Sequence, residues 1–93
     1  MKHVPLTRIL TIRNRKGLHA RASAKLVQLA ATFKSEITVA RDGTKVIGTS
    51  IMGLLMLAAA PGCTIEVSAK GADAREALDA IERLVEARFD ESE

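Results

Sequence analysis

The stretch EITVARDGTKVI, residues 36–47, predicts a β-hairpin at the centre of the chain. Ile37 and Val39 alternate with polar neighbours, as in a strand that buries one face. The pair Asp42-Gly43 is a strong signal for a two-residue turn between two strands. The predicted strands are Glu36–Arg41 and Thr44–Ile47.

Strand and helix patterns flank this hairpin on both sides. The last predicted helix begins with Asp73 and Glu76, which resemble a capping box, and the acidic end Asp90–Glu93 is expected to fray. The order β-α-β-β-α-β-α predicts an α+β open-faced sandwich, with one four-stranded sheet and three helices on one face. The remaining predicted elements are a strand at Leu6–Arg13, helices at Ala20–Phe33 and Ile51–Ala60, a strand at Thr64–Ala69 and a final helix reaching Phe89.

Length and composition indicate one small domain over residues 1–93. Hydrophobic residues make up 47% of the chain, which is enough for one core and leaves no length for a second. The longest apolar run, Leu54–Pro61, is far shorter than the roughly 20 residues of a membrane span. The single cysteine, Cys63, and the lack of a secretory segment favour the cytoplasm. Two distant histidines and one cysteine predict no metal site, and no cofactor is expected.

The charges divide unevenly along the chain. Residues 1–45 hold ten Lys or Arg against two acids, whereas residues 46–93 hold four against nine. A basic half is typical of proteins that meet phosphates, nucleic acid or acidic partners, although a solvated surface is an equally simple interpretation. Aromatic residues make up only 2% of the chain, so the stacking surfaces of a nucleic-acid-binding protein are scarce and nucleic acid is not the expected partner.

The segment Gly17-Leu18-His19-Ala20-Arg21 places a histidine at the start of a predicted helix. Such a helix end carries unpaired N–H groups and a partial positive charge, which attract phosphate and disfavour a charge on the ring. Arg21 adds a planar set of donors for phosphate oxygens. We expect an exposed, uncharged and nucleophilic His19 that relays phosphoryl groups. Alternatively, His19 is an ordinary helix residue and Arg21 a solvated charge; a small phosphate hydrolase would use the arginine but leave His19 idle.

The predicted short helix after Ser50 is apolar on nearly all sides. If Leu54 and Leu57 face the core, a second stripe remains uncovered and suits partner docking; full burial under neighbouring loops is the alternative. Ser50 suits an N-cap, and a phosphate on it would place negative charge beside the stripe. The predicted docking residues are Ile51, Met52 and Leu55.

With both motifs at this separation, the chain resembles the HPr family of the bacterial phosphoenolpyruvate-dependent phosphotransferase system over nearly its whole length. The first segment is similar to the family's active-site motif, and TSIMGL, residues 49–54, to its regulatory-serine motif. The fold implied is a four-stranded antiparallel open-faced sandwich. The tail Ala87–Asp90 and the run Leu54–Leu57 are more similar to the nitrogen-related branch than to the sugar-transport branch.

The resemblance also implies roles for individual residues and partners. His19 would accept a phosphoryl group from phosphorylated Enzyme I and pass it to EIIA-type proteins, with Arg21 assisting. Ser50 would be the target of an HPr kinase/phosphorylase. The docking stripe would meet these partners, and the protein would act as a monomer without nucleic acid or membrane. One departure is Ala22, where the family usually has proline, and we expect Ala22 to loosen the start of the helix slightly.

Overall fold

A computed structural model of the chain describes residues 4–91. Its elements follow the predicted order, with one additional turn of 3-10 helix near the end. The strands are β1 (Leu6–Thr11), β2 (Glu36–Arg41), β3 (Thr44–Ile47) and β4 (Thr64–Lys70); the helices are α1 (Ala20–Ala30), α2 (Ile51–Met56) and α3 (Ala74–Glu86), and the 3-10 turn is Arg88–Asp90.

The four strands form one antiparallel sheet in the order β1-β4-β2-β3. Each strand presents alternate side chains to the helices, so that Val67 lies between Arg8 of β1 and Val39 of β2 in the register. The other face carries polar groups, including Thr7 and Ser68, whose hydroxyls are 2.8 Å apart. This alternation is the pattern of a sheet with one buried face. The predicted open-faced sandwich is confirmed.

Several elements are shorter than predicted. Strand β1 ends at Thr11 rather than Arg13, and α1 ends at Ala30 rather than Phe33. Helix α2 ends at Met56 rather than Ala60, because Ala58 takes a positive φ of 51° that no α-helix can contain. The shortened α2 frees residues 57–60 to turn back toward the loop that precedes α1.

Asp73 does not form the predicted capping box, since its side chain makes no capping hydrogen bond to α3. Its carboxylate instead accepts hydrogen bonds from the backbone N–H groups of Lys34 and Ser35, both at 2.9 Å, and from the Ser35 hydroxyl. The hydroxyl contact and these backbone bonds lower the pKa of Asp73 below its ordinary value, although burial acts in the opposite direction. Asp73 therefore fixes the turn between α1 and β2.

The acidic end was expected to fray, and for Asp90 and Glu91 this prediction is wrong; residues 92–93 lie outside the described part of the chain. Phe89 is fully buried, and Lys25 of α1 donates a hydrogen bond to its carbonyl at 2.8 Å. Arg88, Phe89 and Asp90 all have positive φ values, of 57°, 54° and 62°. This left-handed turn is unfavourable for residues with a side chain, and burial of the Phe89 ring offsets its cost.

Basic groups of the first half pair with acids of the second half inside the fold. Arg8 of β1 contacts Asp79 and Glu82 of α3 at 2.7 and 2.9 Å. Lys25 lies 3.8 Å from Asp90 in the same way. Part of the opposite charge of the two halves therefore forms ion pairs within the molecule. In the described range 4–91, the helices are too short or too polar to cross a bilayer.

Candidate functional site

The loop between β1 and α1 is held in place by the segment that follows α2. Gly17 has a φ of +65°, and a Cβ added there would collide with the backbone carbonyl oxygen of Ala59. The next residue, Leu18, donates its N–H to that same oxygen at 2.9 Å. A glycine is thus required both by the backbone conformation and by the close approach. This contact links the start of α1 to the end of α2.

His19 lies at the N-cap position of α1, with φ −78° and ψ −176°. Its carbonyl accepts the first helical hydrogen bond, from Ser23 N–H at 2.8 Å. Its ring atom Nδ1 accepts from the backbone N–H of Arg21 at 3.3 Å. The imidazole therefore takes the place that a Ser or Asp side chain usually occupies at a helix start. The side chain is 27% exposed, so the ring is half-buried rather than freely exposed as expected.

The other ring nitrogen, Nε2, contacts the carboxylate of Glu91 in the C-terminal tail. A carboxylate can only accept a hydrogen bond, so Nε2 carries a hydrogen. Nδ1 accepts from the N–H of Arg21 and therefore keeps its lone pair, so the ring in this arrangement is neutral. The two contacts therefore assign different roles to the two nitrogens: Nε2 is the donor and Nδ1 is the acceptor.

Asn14 holds the same carboxylate from the other side. Its Nδ2 group donates to Glu91 Oε1 at 3.1 Å and to the carbonyl of Gly17 at 2.7 Å, and its side chain is fully buried. Burial alone raises the pKa of Glu91, but the hydrogen bonds from His19 and Asn14, together with the positive charge of Lys16, lower it by more. The pKa of Glu91 is therefore below its ordinary value, and the group is a carboxylate at neutral pH.

An open cleft surrounds the exposed edge of the ring. Its lining includes the basic residues Arg15, Lys16 and Arg21 and the tail acids Asp90 and Glu91. Cations beside a helix N-terminus create a favourable position for a phosphate dianion. The structure thus brings together His19 and Arg21, the two residues that the sequence singled out for phosphoryl transfer.

Ser50 and the apolar stripe lie at the start of α2. The Ser50 hydroxyl oxygen accepts a hydrogen bond from Gly53 N–H at 3.0 Å, which is the expected N-cap contact. Of the predicted docking residues, Ile51 and Met52 are 41% and 68% exposed, whereas Leu55 is half-buried. The expected inward residues, Leu54 and Leu57, are buried. The exposed stripe on this helix is real, but Leu55 contributes less to it than predicted.

Sequence reasoning missed three residues that contribute to the His19 site or to the exposed stripe on α2. Met56 is 74% exposed and extends the stripe on α2. The signal for it was present, since Met56 lies four positions after Met52 on the same helical face. Asn14 and Glu91 gave no local signal, because one lies in a polar loop and the other in an acidic tail. Only the fold brings them to His19.

Comparison with known proteins identifies the group to which this arrangement belongs. The sequence pattern described as "PTS HPr component phosphorylation site" matches residues 6–87. The chain belongs to the HPr family. It is therefore a phosphocarrier protein of the phosphotransferase system, a group carrier rather than a catalytic enzyme, and it interacts with enzymes of that system.

Relatives in this family match nearly end to end. The phosphocarrier protein HPr of Cupriavidus necator is 50% identical over 88 residues, which cover 95% of this chain and 99% of that protein. The phosphocarrier protein NPr of Shewanella violacea is 51% identical, covering 94% and 96% of the two chains. The crystal structure of HPr from Thermoanaerobacter tengcongensis matches with a TM-score of 0.90 at 40% identity, covering 95% and 99%. Relatives with the two names thus match equally well.

Proposed function

We propose that His19 is the phosphoryl acceptor of this phosphocarrier and that Nδ1 is the reacting atom. The observation that carries the proposal is the position of Nδ1 at the start of α1, where its lone pair faces the N–H of Arg21. The donor is phosphorylated Enzyme I, and the recipients are EIIA-type proteins. These partners are assigned from the family, whose members named HPr and NPr resemble the chain over nearly its full length.

The transfer step follows from this geometry. The lone pair of Nδ1 leaves its hydrogen bond with the N–H of Arg21 and attacks the phosphorus atom of the phosphoryl group on Enzyme I. The N–P bond of the donor breaks, and its electron pair remains on the donor nitrogen. The new phosphoryl oxygens then occupy the space in front of the α1 N–H groups, which favour negative charge. Because Nε2 keeps its hydrogen, the ring is a good leaving group for the next transfer, as a relay requires.

Arg21 is proposed to assist by binding the phosphoryl oxygens. Its side chain is exposed and lines the cleft beside His19. The guanidinium offers two parallel donors to a phosphate, and its charge is weakly hydrated compared with that of lysine. Arg21 therefore stabilises the phosphorylated state without taking part in bond making.

The test is phosphorylation with Enzyme I and phosphoenolpyruvate. We expect one acid-labile phosphoryl group per chain, with a phosphorus NMR signal of a phosphohistidine substituted at Nδ1. The variant His19→Ala should accept none. Label that persists in this variant would place the site on another residue, and a signal from an Nε2-substituted ring would reject the assignment of Nδ1.

Docking of partners is proposed to use the stripe on α2, with Ile51, Met52 and Leu55. Exposed apolar side chains beside a charged cleft are typical of the core and rim of an interface. The hydrogen bond from Leu18 to Ala59 keeps the end of α2 next to the active-site loop. A partner bound to the stripe would therefore lie close to His19.

Ser50 is proposed as a regulatory phosphorylation site, the target of an HPr kinase/phosphorylase in cells that contain one. Its hydroxyl already lies at a helix start, where a phosphate would leave the cap intact. The added charge would lie directly before Ile51 and oppose the binding of partners to the stripe. Ser50→Asp should slow transfer from Enzyme I, and an unchanged rate would reject this regulation.

The chain is further proposed to act as one monomeric domain in the cytoplasm. All three helices and strands β1, β2 and β4 contribute to one continuous hydrophobic core, which supports a single domain. The lone thiol of Cys63 suits a reducing compartment. Sedimentation at micromolar concentration would test the monomer.

A further inference from the structure

We propose that Glu91 is a positioning residue for the transfer, which fixes the His19 ring so that Nε2 carries the hydrogen and Nδ1 presents its lone pair. The proposal rests on the assignment of His19 as the acceptor. Glu91 does not touch the transferred group, because it contacts the ring nitrogen opposite to the one that reacts. It acts through the orientation of another side chain.

The carboxylate of Glu91 is held at both of its oxygens. Oε2 accepts from His19 Nε2, and Oε1 accepts from the buried Nδ2 group of Asn14. Asn14 is in turn anchored to the Gly17 carbonyl at 2.7 Å, in the loop that leads into α1. The order Asn14, Glu91, His19 thus resembles the arrangements in which a carboxylate selects one tautomer of a catalytic imidazole.

The backbone of the tail delivers Glu91 to this place. Three consecutive residues, Arg88 to Asp90, adopt left-handed conformations, and this turn redirects the chain after α3. The buried ring of Phe89 and the hydrogen bond from Lys25 to its carbonyl hold the turn against α1. Unfavourable conformations persist only where the surroundings fix them, and they are concentrated at functional sites. The side chain of Glu91 is only 12% exposed at the end of this turn.

The chemical consequence concerns both directions of transfer. Before transfer, a ring with hydrogen on Nδ1 cannot attack, so a fixed Nε2–H tautomer keeps every molecule competent. When Nδ1 bonds to phosphorus and the donor N–P bond breaks, the ring gains positive charge. The hydrogen stays on Nε2, and the adjacent carboxylate stabilises the charged ring. The negative phosphoryl group lies on the other side of the ring, away from Glu91.

The experiment compares wild type with Glu91→Ala, Glu91→Gln and the control Glu86→Gln. Glu86 is an exposed acid at the end of α3, and it does not contact His19. Glu86→Gln therefore removes the same charge as Glu91→Gln without affecting the ring. Nitrogen NMR of the imidazole measures the tautomer of the neutral ring. Rapid-mixing kinetics with phosphorylated Enzyme I measures the rate of phosphoryl acceptance.

We expect wild type and Glu86→Gln to hold the neutral ring almost entirely as the Nε2–H tautomer. Glu91→Ala should show a mixture of tautomers and a rate lower by about tenfold, the lower end of the effect of removing the hydrogen-bond partner that orients a metal-bound histidine. Glu91→Gln can still accept from Nε2, so its tautomer should stay closer to wild type while its rate falls, because the charge is lost. A purely structural role would not move the tautomer.

Two results would overturn the proposal: a wild-type ring with hydrogen mainly on Nδ1, or an unchanged tautomer and rate in Glu91→Ala. Amide spectra of the sheet residues show whether each variant is folded, and Glu91→Gln preserves the shape of the side chain if Glu91→Ala perturbs the tail. Failure of the assignment of His19 itself is distinguishable, since it would appear as label retained in His19→Ala.

Discussion

The start of α1 and the start of α2 use the same backbone device for different purposes. At α1 the ring of His19 accepts from the N–H of Arg21, and at α2 the hydroxyl of Ser50 accepts from the N–H of Gly53. The first cap is surrounded by cations and a tail carboxylate, whereas the second is followed by exposed apolar side chains. The helix end supplies the same partial charge in both places, so the neighbouring side chains decide which of the two proposed roles, group transfer or partner binding, each helix start favours.

The largest difference between the two helix starts should appear in the free energy of unfolding when Gly17 or Gly53 is replaced by alanine. In Gly17→Ala the new Cβ collides with the carbonyl oxygen of Ala59, and alanine is also strained at the positive φ of this position. We therefore expect a loss of about 3 kcal/mol in the free energy of unfolding. In Gly53→Ala the new Cβ meets the side chain of Val46 at 2.9 Å, and the gain in helix propensity offsets part of the overpacking.

Urea unfolding of both glycine variants measures this comparison. The loss in Gly53→Ala should be about 1 kcal/mol. Phosphoryl acceptance should also fall in Gly17→Ala, because the loop that precedes His19 is displaced, and should remain in Gly53→Ala. Equal losses of stability in the two variants would show that the close approach between the α1 loop and Ala59 does not constrain the site.

Sequence reasoning found both helix starts because their signals are local. Glycine before His19 and serine before an apolar run indicate helix ends within a few residues. The alternation and the Asp-Gly turn likewise predicted the sheet. Glu91 was missed because it is 72 residues from His19, and an acidic tail by itself is typical of a frayed end. Asp73 was misassigned because its real partners, Lys34 and Ser35, precede it by almost forty positions.

The tail was also misread because its conformation is unusual for its residue types. Positive φ values are expected mainly of Gly, Asn and Asp, and Arg88 and Phe89, which precede Asp90 in this turn, give no such signal. Their geometry is imposed by tertiary contacts, mainly the burial of the Phe89 ring. The part of the site that depends on chain segments close in sequence was predictable, and the part that depends on packing between α3 and α1 was not.

The next effect concerns charge at the start of α1. Arg21→Ala removes the guanidinium from the cleft and should lower the rate of phosphoryl acceptance by about tenfold, the size of one charged hydrogen bond. Arg21→Lys keeps the charge without the planar pair of donors, so its rate of phosphoryl acceptance should lie between those of wild type and Arg21→Ala. The matched control is Arg75→Ala, since Arg75 is an exposed arginine near the start of α3. Equal rates in Arg21→Ala and Arg75→Ala would remove Arg21 from the site.

The corresponding change at α2 should affect stability rather than transfer. Ser50→Ala removes the hydroxyl that caps Gly53 and should cost about 1 kcal/mol in the free energy of unfolding. Ser50→Asp retains a capping oxygen and should keep the stability of wild type. Urea denaturation of the two variants separates the cap from the charge. If Ser50→Asp is as unstable as Ser50→Ala, the slowing proposed for Ser50→Asp cannot be attributed to charge alone.

Acid should affect the α1 site and leave the α2 cap unchanged. The folded pKa of Glu91 is lowered, so its contacts stabilise the protein above the unfolded value near 4.5 and are lost as the pH falls through the lower folded value. The partly solvated contact limits this contribution to less than about 1 kcal/mol. In an NMR titration below neutral pH, the amides of Phe89 and Glu91 should shift in this range, and those of Gly53 should not. Absence of the tail shift in this range would show that the carboxylate is not held.

The smallest expected effect is that of Ala22→Pro, which restores the residue usual in the family. The first helical hydrogen bond of α1 is donated by Ser23. The N–H of Ala22 therefore makes no helical hydrogen bond, and proline can remove it without breaking one. Proline also restricts the unfolded chain, and this should add about 0.5 kcal/mol of stability if the ring fits. Ala22 is fully buried, however, and a proline ring that does not fit would change the sign. Urea unfolding decides between the two: a gain shows that Ala22 loosens the start of α1, and a loss shows that this chain has packed around the smaller side chain.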